Sequence, residues 1–76
     1  MVDYQTKMAE QYDAMVEAAQ VEQDRRLRVI DVLLRRCRGV KITGVYVVNA
    51  GTPTRRALQR ELLTYRDWLR RLVTYF

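Results

Sequence analysis

The chain contains no histidine. That removes the commonest metal ligand and the side chain that most readily exchanges a proton near neutral pH. Its single cysteine, Cys37, excludes an intramolecular disulfide and a thiolate zinc site. No run approaches the roughly 18 uninterrupted apolar residues of a membrane span. The first residues lack a basic segment followed by an apolar one, so they do not read as a secretory signal. One proline, three glycines and 49% hydrophobic residues argue against disorder. The expectation is a soluble protein of a reducing compartment, with no membrane partner.

Size narrows the reading further. A chain of 76 residues and 9.1 kDa makes one small domain, residues 1–76. Folded compactly it would expose about 4,900 Å² and bury roughly 60% of its unfolded surface, which leaves a monomer marginal. A water-excluding catalytic pocket is hard to build from so little chain. No nucleophile stands with a base in a recognisable pattern. Neither an enzyme activity nor a cofactor or metal is predicted.

What is present is charge, unevenly spread. Residues 1–24 carry Asp3, Glu10, Asp13, Glu17, Glu22 and Asp24 against Lys7, a net −5. Residues 25–76 carry thirteen basic residues against Asp31, Glu61 and Asp67, a net +10. Twelve of the fourteen basic residues are arginine, whose planar fork suits carboxylate and phosphate, although a GC-rich genome gives the same bias. The chain therefore divides into an acidic helical arm over 1–24 and a basic helix–hairpin–helix body over 25–76.

Residues 3–38 hold no Gly or Pro and are rich in helix formers. Tyr4, Met8, Tyr12, Met15 and Ala19 step along one helical face, and Leu27, Ile30, Leu34 and Cys37 form a second run. The polar stretch Gln20–Arg26, interrupted by Val21, separates them. Gly39 supplies a C-terminal cap after Arg35, Arg36 and Arg38. A continuous helix of this length would measure about 54 Å, too long for a compact chain about 30 Å across. Either it breaks near 20–26, or its acidic half projects and packs on another chain. In both cases Tyr4, Met8, Tyr12 and Met15 need a partner surface.

Ile42, Val45, Tyr46, Val47 and Val48 have strand composition. Asn49-Ala50-Gly51 reads as a turn, giving a short hairpin in which Val45–Val48 returns through Asn49–Ala50 to a stub at Gly51–Pro53. A final helix follows, capped by Thr54 or, in the competing start, by Thr52 with Pro53 in the first helical position. Leu58, Leu62, Tyr65, Leu69, Leu72 and Phe76 occupy an arc of about 80° on it. Arg55, Arg56, Arg60, Arg66, Arg70 and Arg71 occupy roughly 160° opposite, with Trp68 on the border. The predicted class is α+β: a long N-terminal helix, a short β-hairpin and an amphipathic C-terminal helix.

The arginine face is the first candidate site. A row of guanidinium groups suits a phosphate backbone or an acidic protein surface. The plainer reading is a solvated face, yet Glu61 and Asp67 cannot neutralise six arginines. Thr52-Pro53-Thr54-Arg55-Arg56, at the helix start, is the second, and a weak surface effect is its better reading. Tyr4, Tyr12, Tyr46, Tyr65, Tyr75 and Trp68 suit base stacking, but Tyr65 on the apolar face favours packing. Cys37 reads as a small buried hydrophobe, and Asp31, between Arg28 and Arg35, as a salt-bridge partner. A helix-turn-helix fits weakly, because a β segment separates the helices.

One pattern runs through Tyr46 and Val48 in the strand, Asn49 and Ala50 where the pattern has Gly-Gly, then Thr52, Thr54, Arg55, Leu58, Trp68 and Leu72. Over residues 40–73 it resembles the lambda gpW-like head-completion proteins of tailed phages. The resemblance implies a structural role: an adaptor of the virion head–tail connector, assembled in the host cytoplasm. Its implied partners are the phage portal and neighbouring connector subunits, in a ring of identical copies near the DNA channel. Residues 1–24 of one copy would meet the arginine face of the next. Two rivals come from other classes: a small nucleic-acid-binding regulator that dimerises through its N-terminal helix, and a phage-encoded inhibitor of one host protein.

Overall fold

The computed structural model describes the backbone of residues 2–75 and the side chains of residues 5–74. Its architecture is α+β, in the order α1 (Val2–Arg36), β1 (Ile42–Thr43), β2 (Tyr46–Val47) and α2 (Pro53–Tyr75). α1 is one unbroken helix of 35 residues, about 52 Å long. The molecule accordingly measures 59 × 20 × 15 Å, with a radius of gyration of 17.0 Å against about 11 Å for a compact chain of this size.

The polar stretch at 20–26 does not break α1, because α2 meets it with aromatics. α2 runs back antiparallel to α1. Gln23 Nε2 donates to the Tyr65 hydroxyl at 3.2 Å. The Arg26 guanidinium lies 5.7 Å from the centre of the Trp68 ring, a cation–π contact, and its Nη2 pairs with Glu22 at 2.9 Å. Tyr65 and Trp68 themselves stack at 5.9 Å. Amphipathic rings thus give a polar segment a surface to pack on, with the Arg26 Nε left buried without a hydrogen-bond partner. Further along, Val16 and Ala19 are half-buried near Leu72.

The core sits at the opposite end, where α1, the hairpin and α2 converge. Leu58 is fully buried, and Ile30, Cys37 and Val47 pack with it; Leu33, Leu34, Val40, Ile42, Ala50, Leu62 and Tyr65 close the surround. Cys37 is a buried free thiol, and Asp31 pairs with Arg35 at 3.0 Å. Leu27 departs from its predicted run: it is 41% exposed, while Ile30, Leu34 and Cys37 turn inward.

Three local expectations are corrected. The helix expected over 3–38 ends at Arg36, and Gly39 takes the left-handed conformation (φ +70°) just beyond it. The hairpin turns at Gly44–Val45, not at Asn49–Ala50: Ile42 pairs with Val47 and Thr43 with Tyr46. Gly44 alone of the two loop residues has positive φ (+63°), the pattern of a type II′ turn, whose twist matches that of the strands. Asn49 does reach positive φ (+59°), but it bends β2 out toward α2. The stub expected at Gly51–Pro53 does not pair, since Pro53 has no N–H to give a ladder. Finally, Thr52 caps α2: its Oγ1 accepts the Arg55 amide at 3.2 Å, Pro53 opens the helix, and Thr54 lies inside it.

Candidate partner-binding surfaces

The six arginines singled out on α2 fall into two groups. Arg55 and Arg66 are half-buried against the hairpin. Arg55 Nη1 donates to the Asn49 carbonyl at 3.2 Å, which fixes the bend between β2 and α2. Arg66 lies by Tyr46 and Asp67, with Nε 3.5 Å from the Asp67 carboxylate. Hydrogen bonding to Tyr46 leads in raising its pKa above the ordinary arginine value, against desolvation, with the Tyr46 hydroxyl's charge and then Asp67 adding to the rise. These two residues bond within the chain, which leaves four of the six arginines exposed. Arg56, Arg60, Arg70 and Arg71 are exposed, and none of them joins an ion pair among the described residues.

The residue that divides the helix in this way escaped sequence reasoning. Gln59 sits among the arginines, yet its amide reaches the hairpin. Nε2 donates to the Val45 carbonyl at 2.8 Å, and Oε1 accepts the Val47 amide at 2.6 Å. The Val47 amide lies on the edge of β2 that β1 leaves unpaired, and the Val45 carbonyl extends that edge into the turn. The side chain therefore substitutes for a third strand and docks the hairpin on α2. Its one sequence signal is a neutral amide within a run of cations.

The apolar positions of the acidic arm stand apart from this body. Every described side chain from Gln5 to Met15 is exposed. Met8 is 52% exposed, Tyr12 56% and Met15 44%, in line on the side of α1 that α2 covers further along. The side chain of Tyr4, the first residue expected in that line, lies outside the described residues, as do those of Tyr75 and Phe76. A shallow groove of about 190 Å³ lined by Tyr12, Val16, Ala19, Gln20, Gln23 and Leu72 marks where the covered part gives way to the exposed part.

Ion pairs decorate the middle of α1. Arg25 grips Glu22 with Nη2 at 2.6 Å and Nε at 3.2 Å. The hydrogen bond from Arg25, and then the charges of Arg25 and Arg26, hold the Glu22 carboxyl below its ordinary pKa. Among the described residues no three His, Cys, Asp or Glu side chains gather as metal ligands, and no helix is long and apolar enough to cross a membrane. What the arrangement offers is binding chemistry: a projecting helix with acidic flanks, and a separate basic face. No family model matches the sequence, and neither a curated protein nor a solved structure matches the chain.

Proposed function

We propose that this chain is a structural subunit of a tailed-phage head–tail connector, an adaptor that docks below the portal and assembles in a ring with neighbouring copies. The observation that carries the reading is the arm: eleven consecutive exposed side chains, Gln5–Met15, on a helix that continues from a packed body. A solitary helix segment gains little from its own hydrogen bonds in water, so a projecting one with Met8, Tyr12 and Met15 aligned is suited to lodging on another chain. The acidic arm and the exposed Arg56, Arg60, Arg70 and Arg71 give one copy both signs of charge, as head-to-tail contact between copies requires. Assembly adds stability to a small body by mass action. The likeness of residues 40–73 to head-completion proteins gives the direction of the reading.

The test is binding to the portal particle of the phage that carries the gene. Wild-type chain is expected to add one ring of density below the portal, and the triple variant Met8→Asp, Tyr12→Asp, Met15→Asp to add none. A portal that binds neither chain, or binds both equally, contradicts the reading. The four exposed arginines favour one rival, a DNA-binding regulator. That rival requires duplex DNA to bind the wild-type chain with a steep loss as salt rises, and to bind it without the arm.

A further inference from the structure

α1 carries a second apolar line that faces away from α2. Ala14, Ala18, Val21, Val29 and Val32 lie within an arc of about 80° centred roughly 140° from the side that packs on α2. Val21 is 70% exposed, Val29 41% and Val32 46%. Val29, Val32 and Leu33, with the stems of Arg28 and Arg36, line a shallow depression of about 330 Å³ on this outer face. About two turns toward the N-terminus, Val21 stands proud of the helix as a knob. The line runs from Ala14 in the arm into the packed half of α1, on a different side of the helix from Met8, Tyr12 and Met15 and apart from the arginine face of α2.

We propose that this outer face joins two copies of the chain as a two-fold symmetric, antiparallel pair of α1 helices. Charge selects both the occupant and its direction. α1 is acidic through Asp24 and basic from Arg25 onward, apart from Lys7 and Asp31. A parallel pair sets like charge on like, whereas an antiparallel pair sets the acidic half of each copy along the basic half of the other. The details agree. Seating Val21 of each copy in the other's depression places Asp24 beside the second copy's Arg28, and Glu17 beside its Arg35. Those four residues share the same flank of the outer face and all are exposed. Antiparallel helices bring matching flanks together, so symmetry makes two such pairs into four.

The exposed area also favours a second copy. The chain exposes 6346 Å², well above the roughly 4,900 Å² of a compact chain of this mass. The excess exceeds the roughly 800 Å² that each partner of an ordinary stable interface covers. Arg25, near the middle of the face, is held two-pronged by Glu22 of its own helix, a carboxylate that Arg26 shares. The pair is distinct from the arm contact of the proposed function, and each stands or falls without the other.

Sedimentation across a concentration series tests the pairing. The wild-type chain is expected to move from 9.1 kDa toward twice that mass, with weaker association as salt rises. Val21→Asp, at an exposed position that leaves the helical circular-dichroism signal unchanged, is expected to raise the dimer dissociation constant about tenfold or more. Glu17→Lys with Asp24→Lys, and separately Arg28→Glu with Arg35→Glu, are expected to weaken it as well. A chain with all four reversals is expected to recover the dimer, since the antiparallel pairs re-form with signs exchanged. Met8→Asp with Tyr12→Asp is expected to leave the dimer intact. A wild-type chain that stays at 9.1 kDa throughout overturns the proposal. So does a Val21→Asp chain that dimerises like wild type, or a four-fold reversal as weak as either half.

Discussion

The two ends of α1 have the same backbone and opposite surroundings. From Ile30 to Cys37 the helix is wedged between α2 and the hairpin, with Leu58 sealed beneath. From Gln5 to Met15 every described side chain is exposed. The composition of the two segments does not differ much in helix propensity, so propensity alone cannot set their stabilities. Tertiary burial does: about 25 cal/mol for each Å² of apolar surface removed from water. The packed end nucleates α1, and the arm extends it with one hydrogen bond per added residue and little else. A helix extended in this way is ordered in shape but weakly held, which leaves its apolar side available to a partner.

Breaking the packed end is expected to have the largest effect. Leu58→Ala empties the one large side chain fully buried among the described residues and is expected to cost about 3 kcal/mol in chemical denaturation. A 76-residue domain has only about 4–11 kcal/mol in total, so the variant is expected to be partly unfolded at 37 °C. Gln59→Ala strips the amide from the edge of β2 and leaves the Val45 carbonyl and Val47 amide to water. It is expected to cost about 1–2 kcal/mol and to loosen the hairpin while both helices persist, as amide chemical shifts would report. Thr52→Ala removes the cap of α2 and is expected to cost about 1 kcal/mol, with Thr54→Ala near neutral as its control.

Glu22 supplies the smallest change. Its carboxyl is held below the ordinary value by Arg25 and then Arg26, so its contribution is present above the ordinary carboxylate range. That contribution fades as pH falls through the lowered value, because the unfolded chain takes up the proton first. Glu22→Gln is expected to flatten the acid side of the stability–pH curve slightly and to leave stability at neutral pH little changed, as befits an exposed pair.

Much of this contrast is legible in the residues. The spacing of Leu58, Leu62, Tyr65, Leu69 and Leu72 marks α2, and Gly39 marks the end of α1. Tyr65 falls on the packed side, and Cys37 is buried as a small hydrophobe. The rest depended on long-range geometry. The hairpin turns at Gly44–Val45 although Asn49-Ala50-Gly51 carries the stronger turn signal. Only the pairing of Ile42 with Val47 decides between them. The continuity of α1 through Gln20–Arg26 rests on Tyr65 and Trp68, some forty residues away in the chain, which supply polar-tolerant faces for Gln23 and Arg26. Arg55 and Arg66 looked like their exposed neighbours because helical periodicity places them on the same side of α2. It carries no information about the hairpin that covers that edge.

Amide hydrogen exchange along α1 in the isolated chain tests the contrast between its ends most directly. Slow exchange from Ile30 to Cys37, falling steadily to exchange near the unfolded rate between Gln5 and Met15, is the expected profile. Protection of the arm equal to that of the packed end contradicts it, because the arm would then be held by contacts of its own rather than kept open for a partner.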